Sequence, residues 1–387
     1  MRAILQHIQR IIDQYDGSMP LSNYLKAYFK KHPILGSRDR KMLTEMSYVW
    51  YRCCNVFDDA LPFNKKLEAC LFLSDTQQHQ ILQLLKPEWQ GKHDYFLTQK
   101  ILVLQKEKIR FDIEKLLPAK VAFSSGMQRQ EWLSSMFRQP NLFIRYRKNA
   151  ASLKALLDSQ NWHYTTYGND CFALPNGTKL ETILPEKDYV VQDKSSQETR
   201  NYFAPKAGEH WWDCCAGAGG KSLLLHDLQP KIKLTVSDKR DTILHNLKTR
   251  FELYNKPAPE RLVADVADVS SLKKQLKERL FDNIICDVPC SGSGTWARTP
   301  EQLHFFEVEK IQSFASLQKQ IAENAAAFLK PGGRLIYITC SVFKNENENV
   351  CEAINGLTVE SMKLINGIAD GAGSMFVAVL KKEAIVS

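Results

Sequence analysis

Two cysteines follow two hydrophobic strands, at the point where each predicted strand ends. The run 281–287, FDNIICD, predicts a strand that continues through a Val-Pro pair into Cys290. The run 333–340 predicts the next strand and ends at Cys340. If these strands are neighbours in a parallel sheet, both thiols project into one cleft beside Asp287. A lone strand-end cysteine is usually a buried structural thiol, but a pair beside an acid predicts nucleophilic catalysis.

A glycine-rich turn follows the first predicted strand of the same region. The sequence DCCAGAGGK spans 213–221, and a helix is predicted directly after it. Small residues let the backbone approach a ligand closely, and a helix N-terminus offers free N–H groups. The spacing does not match the GxxxxGK[ST] pattern of nucleotide-hydrolysing loops.

Two aspartates end the second and third predicted strands. Asp238 is placed to accept ribose hydroxyls, and Asp265 can accept from an adenine amino group. Either carboxylate could equally begin a turn or cap a helix. Together with the glycine-rich turn, they favour an adenosine-containing cofactor.

Strands and helices alternate from about residue 205 to the end. Strands are predicted at 210–214, 232–238, 261–265, 281–287 and 333–340, with helices between them. This order predicts an α/β fold with a parallel, doubly wound sheet. Residues 1–125 show apolar residues at helical spacing, and 126–200 mix short strands with a helix. We therefore predict three consecutive domains: a helical domain at 1–125, a small α/β module at 126–200 and a catalytic domain at 201–387.

Charge and cysteine usage limit the class of protein. The net charge is +9, and residues 1–150 hold 24 basic against 14 acidic residues, whereas the remainder holds 28 against 29. A basic front suits a polyanion such as RNA, or it is simply a well-solvated surface. Ten cysteines without C-x2-C zinc spacing fit reduced thiols. Without a membrane-length apolar run or a signal-peptide core, we expect a cytoplasmic, metal-free monomer that does not enter membranes.

Six basic residues are candidate RNA contacts. Three open a predicted helix in the front of the chain. The other three lie in or just after a strand-like run at 142–146, where aromatic neighbours suit stacking on single-stranded RNA. The alternatives are a solvated helix end and an arginine-flanked edge strand. The candidates are Arg38, Arg40, Lys41, Arg145, Arg147 and Lys148.

The motifs of the catalytic half resemble those of the Sun/Nop2/RsmB family of RNA 5-methylcytosine methyltransferases. They are C-A-G-A-G-G-K at 215–221, D-V-P-C-S-G-S-G at 287–294, T-C-S at 339–341, V-Q-D-K-S-S-Q at 191–197, N-E-N-E after T-C-S, and S-M-F-V-A-V-L near the C-terminus. At the front, G-S-R-D-R-K-M-L-T-E is similar to the NusB-like helical domain of the bacterial RsmB-type members.

The resemblance implies a class I methyltransferase (Rossmann-like) fold, S-adenosylmethionine as cofactor and RNA as substrate, with small-subunit ribosomal RNA favoured. Cys340 would be the nucleophile that adds to cytosine C6, and Cys290 would help to break down the covalent adduct and release the RNA. Asp287 would hold the cytosine beside the cofactor. The implied cofactor-binding residues are Cys215, Ala216, Gly217, Ala218, Gly219, Gly220, Lys221, Asp238, Asp265 and Asp287.

Three other classes of protein fit the sequence less well than this family does. The triplet E-N-V at 348–350, together with Pro289-Cys290, mimics the DNA cytosine methyltransferases, but it follows T-C-S closely in a predicted helix. A DNA enzyme would also not need Cys340. Amino-group methyltransferases usually carry an aromatic residue after the proline, which is missing here. A non-catalytic RNA-binding or ribosome-assembly factor would have no reason to keep both thiols, while transfer RNA stays open as the substrate in place of ribosomal RNA.

Overall fold

The structure, a computed structural model, describes residues 2–74, 80–89, 91–92 and 95–384. Its elements are numbered in chain order. The α-helices are α1 (Arg2–Gln14), α2 (Leu21–Lys31), α3 (Ser37–Cys53), α4 (Phe63–Leu73), α5 (Gln80–Leu85), α6 (Leu97–Lys106), α7 (Arg129–Ser135), α8 (Ala150–Ser159), α9 (Lys194–Glu198), α10 (Gly220–Leu228), α11 (Asp241–Leu253), α12 (Val269–Leu276), α13 (Pro300–His304), α14 (Lys310–Ala326) and α15 (Glu348–Ala353). The strands are β1 (Leu142–Tyr146), β2 (Thr165–Tyr167), β3 (Cys171–Leu174), β4 (Tyr189–Val191), β5 (His210–Asp213), β6 (Lys233–Asp238), β7 (Glu260–Val263), β8 (Phe281–Asp287), β9 (Leu329–Thr339), β10 (Leu357–Asn366) and β11 (Ser374–Lys382). Within these described ranges, no helix is long and apolar enough to cross a membrane.

One of the two compact units is helical and is assembled from three stretches of chain. It comprises the described residues up to Val121, Gln128–Pro140 and Thr295–Val308, and so contains α1–α7 and α13. The buried residues of α1 and α3 recur at helical spacing, as Ile8 with Ile11 and Met46 with Val49. The predicted helical character of the front is confirmed.

The helical unit holds its later segments by specific contacts. The buried guanidinium of Arg52 in α3 donates to the carbonyls of Met136 and Arg138 at 2.7 and 3.0 Å. The ring of Phe305, directly after α13, lies 5.5 Å from that of Tyr15. A stretch that follows the predicted fourth catalytic strand in sequence therefore belongs structurally to the helical unit.

The second unit is built on a seven-stranded sheet in the order β10-β11-β9-β8-β5-β6-β7. The five strands from β5 to β9 run parallel, whereas β11 pairs antiparallel with β9 and β10 pairs antiparallel with β11. Apolar side chains from the parallel strands, β11 and the helices α10 and α11 form the core, among them Trp211, Leu223, Val236, Leu247, Ile338 and Val377. The predicted doubly wound α/β fold is confirmed, and the two antiparallel strands extend it.

A four-stranded antiparallel sheet in the order β2-β3-β1-β4 belongs to the same unit. The helix α8 buries Leu153 and Leu157 against Ile144 and Phe172 of this sheet. The small α/β character predicted for 126–200 is present. The contacts, however, divide the described chain into two units, not into three consecutive domains. Asn141–Gly294 and the described residues from Glu309 onward cluster together with Ala122–Met127.

Candidate active site

The carboxyl ends of β8 and β9 bring the two strand-end cysteines together. The strands are parallel neighbours, with Asp287 opposite Ile338 in the register. Beyond these ends, the Sγ atoms of Cys290 and Cys340 lie 3.3 Å apart, within hydrogen-bonding distance. Both side chains are partly buried. The expected adjacency of the two strands is therefore confirmed, and it places the two thiols in contact.

Gly294 closes the loop after Cys290 against the backbone of Cys340. Its N–H donates to the Cys340 carbonyl at 2.8 Å, and its carbonyl accepts from the Ser374 N–H at 2.9 Å. A Cβ on Gly294 would lie 2.2 Å from the Ser374 carbonyl oxygen and 2.9 Å from that of Cys340. Only glycine permits this close approach, so the last glycine of the S-G-S-G run has a packing reason.

The two thiols are electrostatically unequal. A hydrogen bond with Cys290 lowers the pKa of Cys340, and nearby Lys221 adds to this effect against burial and the charges of Asp287 and Glu346. The same contact with Cys340, together with burial, raises the pKa of Cys290 well above its ordinary value. Cys340 is thus the thiol that ionises first, with the Cys290 S–H donating to it. The thiolate is the nucleophilic form of cysteine.

Lys221 connects the glycine-rich turn to the cysteine pair. Its Nζ lies 3.3 Å from Asp287 Oδ2 and donates to Ser196 Oγ at 2.9 Å. The side chain is buried, so the ammonium is held by these partners. The sequence placed Lys221 with the cofactor residues and overlooked Ser196, although the V-Q-D-K-S-S-Q motif contains it. The structure places Lys221 between Ser196 and Asp287, with its ammonium in contact with both.

The turn after β5 forms an open cradle. Gly217 and Gly219 have φ angles of +52° and +79°, in the left-handed region that favours glycine. A Cβ on Gly219 would lie 2.6 Å from the Leu247 side chain, whereas one on Gly217 would meet no atom within 4 Å. The turn is therefore packed on one side and open on the other. Since α10 begins at Gly220, its first N–H groups lie at this turn.

The remaining turn residues lie where the sequence placed them. The Ala216 N–H donates to the Ser237 carbonyl at 2.9 Å, which ties the turn to β6. Cys215 is partly buried and Ala218 is exposed. Small side chains, open space at Gly217 and a helix N-terminus fit the adenosine-containing cofactor that the sequence predicts.

Asp238 and Asp265 differ in their surroundings. Burial opposes ionisation of Asp238, but hydrogen bonds from Arg240 outweigh it and lower the pKa of this carboxyl. The Arg240 Nε donates to Asp238 Oδ1 at 2.9 Å, and the Gly217 N–H donates to Oδ2 at 3.2 Å. Asp265 is exposed and accepts from the Ala267 N–H at 3.0 Å. Asp238 therefore lies at the turn, whereas Asp265 begins a turn of its own beyond β7, which ends at Val263.

Asp213 is a buried acid that sequence reasoning overlooked. It ends β5, is fully buried and accepts from Ser222 Oγ at 2.5 Å. Burial raises the pKa of Asp213 to about 7, against the hydrogen bond from Ser222. Its place before the glycine-rich turn was the available signal, since a carboxylate at a central strand end lies next to the ligand edge of the sheet.

The sequence prediction also gave no role to a cluster of buried polar residues near the loops that carry Cys290 and Cys340. Glu346 and Asn347, from the N-E-N-E run, are fully buried. Asn347 Nδ2 donates to the Ser341 carbonyl at 2.9 Å and to Ser124 Oγ at 2.8 Å. The neighbouring Glu348, which begins α15, accepts from Ser124 Oγ. The E-N-V triplet thus lies at the start of a helix, as expected.

The structure corrects the expectation that Arg145 and Arg147 are available for RNA. Arg145 is 5% exposed, and its Nη1 lies 2.8 Å from Asp227 Oδ2. Arg147 forms two hydrogen bonds with the same carboxylate, at 2.5 and 2.9 Å. Lys148 is exposed but pairs with Asp188 at 2.6 Å. The alternative of an edge strand is wrong as well, because β1 lies between β3 and β4.

The other three basic candidates form what we name the α3 basic cluster: Arg38, Arg40 and Lys41. Arg38 and Lys41 are exposed, and Arg40 is partly buried with its Nε donating to the Leu35 carbonyl at 2.8 Å. These residues lie in the first turns of α3. Their RNA contact stays a prediction.

Residues 201–371 match the family described as 16S rRNA methyltransferase RsmB/F. A protein named Ribosomal RNA small subunit methyltransferase B from Shewanella oneidensis is 34% identical over 189 residues, which cover 49% of this chain and 43% of that protein. A protein of the same name from Xanthomonas campestris pv. campestris is 30% identical over 200 residues, covering 49% and 44%. The chain thus spans less than half of the length of these two relatives.

Two solved structures share the fold. The structure titled "Crystal Structure of PH0851" superposes with a TM-score of 0.66 at 20% identity and covers 98% of both chains. NSun6 from Pyrococcus horikoshii with SFG gives a TM-score of 0.56 at 15% identity, covering 65% of this chain and 92% of that one. The matched family and the geometry of the sheet show that residues 201–371 form an S-adenosylmethionine-dependent methyltransferase domain similar to that of the RsmB/F family.

Proposed function

We propose that this protein transfers a methyl group from S-adenosylmethionine to carbon 5 of a cytosine in RNA, with small-subunit ribosomal RNA as the substrate. The observation that carries the proposal is the contact between Cys290 and Cys340, whose Sγ atoms lie 3.3 Å apart with pKa values shifted in opposite directions. Attack and release by two thiols require this inequality, because one must ionise while the other keeps its proton.

In the first step, the Cys340 thiolate adds to cytosine C6. Carbon 5 is a poor nucleophile in the aromatic base, and the new C6–S bond turns it into an enamine-like centre. The hydrogen bond from Cys290 and the ammonium of Lys221 stabilise the thiolate before attack. Asp287 Oδ2 lies 3.3 Å from Lys221 Nζ, and this carboxylate is the proposed contact for the cytosine ring. The base has to leave its stack to reach this cleft.

The turn 215–221, Asp238 and Asp265 are the residues that would hold S-adenosylmethionine. When bound, this cofactor supplies an electrophilic methyl group. The open side of the turn at Gly217 lets backbone atoms approach the ligand, and Asp238 would accept from the ribose once Arg240 shifts from its carboxylate.

Release reverses the first bond. A water molecule accepts the C5 proton, and the electrons of the C5–H bond form the C5–C6 double bond. Carbon 5 keeps the methyl group, and the electrons of the C6–S bond return to Cys340. Cys290, in contact with Cys340, is the group proposed to assist this elimination. A variant without Cys290 would therefore stop at the covalent protein–RNA adduct.

The RNA substrate is inferred from the relatives and the charge distribution. Both curated relatives are named for small-subunit ribosomal RNA. The excess of positive charge lies in residues 1–150, which suits contact with phosphates. The α3 basic cluster is the proposed contact in that region.

Bisulfite sequencing of total RNA tests the substrate. RNA from a strain without the gene should lose one 5-methylcytosine in small-subunit ribosomal RNA, and the intact gene should restore it while a Cys340→Ala copy should not. Loss of the mark from a transfer RNA would overturn the ribosomal assignment. An unchanged set of 5-methylcytosines in all RNA would contradict the proposed activity.

A further inference from the structure

The side chain of Glu346 contacts both of the loops that carry Cys290 and Cys340. The residue is fully buried, and a carboxylate offers only acceptors. Its Oε2 accepts from the Ser291 N–H at 2.8 Å, and its Oε1 accepts from the Ser341 hydroxyl at 2.7 Å. Ser291 directly follows Cys290 in the chain, and Ser341 directly follows Cys340. Each carboxylate oxygen therefore holds the neighbour of one cysteine.

The orientation of this carboxylate is itself fixed by neighbours. Gln318 of α14 donates from Nε2 to Glu346 Oε2 and to the Pro289 carbonyl, both at 3.0 Å. The Tyr337 hydroxyl donates to the Glu346 carbonyl at 2.6 Å, and its oxygen lies 3.2 Å from Gln318 Oε1. Cys290 is thus anchored on both sides, through the carbonyl before it and the N–H after it.

We propose that Glu346 is a positioning residue whose two carboxylate oxygens tether the loops of Cys290 and Cys340 and so hold the two sulfurs at hydrogen-bonding distance. The inference rests on the proposed roles of the two cysteines. Glu346 acts through the loops and not on the substrate. Without the tethers, the loops stay joined by the Gly294–Cys340 backbone bond, but the two sulfurs are no longer held in contact and the inequality of the two thiols is lost.

The tether and the charge of Glu346 act on Cys340 in opposite directions. The charged and titratable groups that face Cys340 are Cys290, Asp287, Lys221 and Glu346. The hydrogen bond from Cys290 is the strongest influence and favours the thiolate, whereas the negative charge of Glu346 opposes it. Removing the tether should therefore weaken ionisation of Cys340, and removing only the charge should not.

Two substitutions separate these effects. Glu346→Ala removes both the tethers and the charge. Glu346→Gln removes the charge and keeps both contacts, since its amide oxygen can accept from the Ser291 N–H while its NH2 donates to the Ser341 hydroxyl, which can also accept. Ser341→Ala removes one tether at little cost in volume. Glu348→Ala is the matched control, because Glu348 is another buried carboxylate that accepts from Ser124 Oγ and the Ser125 N–H.

The test is alkylation of the protein by iodoacetamide across a pH series, with Cys340 and Cys290 resolved by mass spectrometry. Glu346→Ala should slow alkylation of Cys340 at pH 7 by about tenfold, which is the order expected for losing a hydrogen bond to a charged group. Ser341→Ala should slow it in the same direction, and Glu346→Gln should leave it unchanged or faster. Glu348→Ala should match the wild type.

Equal Cys340 reactivity in Glu346→Ala and Glu348→Ala would overturn the positioning role. If Glu346→Ala does not fold, slower alkylation in Glu346→Gln or unchanged alkylation in Ser341→Ala would overturn it as well. The alkylation needs neither RNA nor cofactor, so it tests Glu346 even if the wild type fails to methylate small-subunit ribosomal RNA. That second failure would count against the proposed function alone.

Discussion

The buried carboxyl of Asp213 should make the stability of the protein depend on pH with an unusual sign. Burial raises its pKa from 3.8 to about 7 in the folded state. Folding then favours the protonated form, so this contribution to stability is complete below the unfolded pKa and is lost as the pH rises through the folded one. Asp213→Asn removes the titration while keeping the side chain's volume beside Ser222.

The size of the effect follows from the two pKa values. One pKa unit corresponds to about 1.4 kcal/mol, so the full difference is about 4 kcal/mol at most. Of this, more than half, about 3 kcal/mol, falls between pH 5 and pH 8. The wild type should therefore lose that much more free energy of unfolding over this interval than the Asp213→Asn variant.

Urea denaturation at a series of pH values measures this difference directly. A constant offset between the two proteins reports how well asparagine fits, and only the change of the offset with pH reports the titration. Parallel stability curves from pH 5 to pH 8 would refute the reasoning. They would mean that Asp213 is ionised in the folded protein at pH 5, in spite of its burial.

Three further predictions follow from contacts described above. Asp227→Asn should lower the free energy of unfolding at pH 7 by about 3–5 kcal/mol, because it leaves the buried Arg145 cation uncompensated. Since the pKa of Asp227 is lowered in the folded protein, this difference in stability should shrink as the pH falls into the acid range. Equal stability of the two proteins at pH 7 in urea titrations would refute the pairing. Gly294→Ala should lower the free energy of unfolding by about 1–3 kcal/mol, because the new Cβ clashes with the Ser374 carbonyl. The control is Gly36→Ala, where the backbone is ordinary and no atom is close, and it should change the urea midpoint little. Charge reversal across the α3 basic cluster should weaken binding of small-subunit ribosomal RNA and reduce its dependence on salt in filter-binding assays; an unchanged salt slope would make the cluster an ordinary solvated surface.

The catalytic fold and the cysteine pair were predictable because their signals are local. Parallel strands buried on both faces appear as apolar runs, and the residues that follow such runs lie at the ligand edge of the sheet. The pairing of β8 with β9 therefore followed from their order in the chain. The reason for a glycine at position 294, by contrast, lies in its contact with Ser374 from a distant strand. From the sequence alone, Gly294 was recognisable only as a member of the S-G-S-G motif.

The antiparallel strands β10 and β11 and the division into units were not predictable in the same way. The edge strand β10 carries polar residues and alternates between exposed and partly buried positions over most of its length, so it lacks the apolar run of a central strand. The stretch Thr295–Val308 joins the helical unit through contacts with residues far away in the sequence. The order of residues in the sequence therefore suggested consecutive domains, whereas the helical unit is assembled from separate stretches of the chain.

The site residues that were missed share this dependence on distant partners. Arg145 and Arg147 are residues of the type that contacts RNA, and only their ion pairs with Asp227 of α10 show that they are already engaged. Glu346 is one of several polar residues after T-C-S, and its importance appears only when both cysteine loops are seen to bond to it. A sequence shows which residues are charged, but it does not show which residues of opposite charge lie next to them.

The most direct test of the proposed roles of the two thiols is a denaturing gel of three variants incubated with S-adenosylmethionine and small-subunit ribosomal RNA from a strain that lacks the gene. We predict that Cys290→Ala gives a slowly migrating covalent protein–RNA band, that Cys340→Ala gives neither band nor methylated RNA, and that the double variant behaves as Cys340→Ala. A covalent band that persists without Cys340, or full turnover by Cys290→Ala, would contradict the assignment of Cys340 as nucleophile and Cys290 as the releasing group.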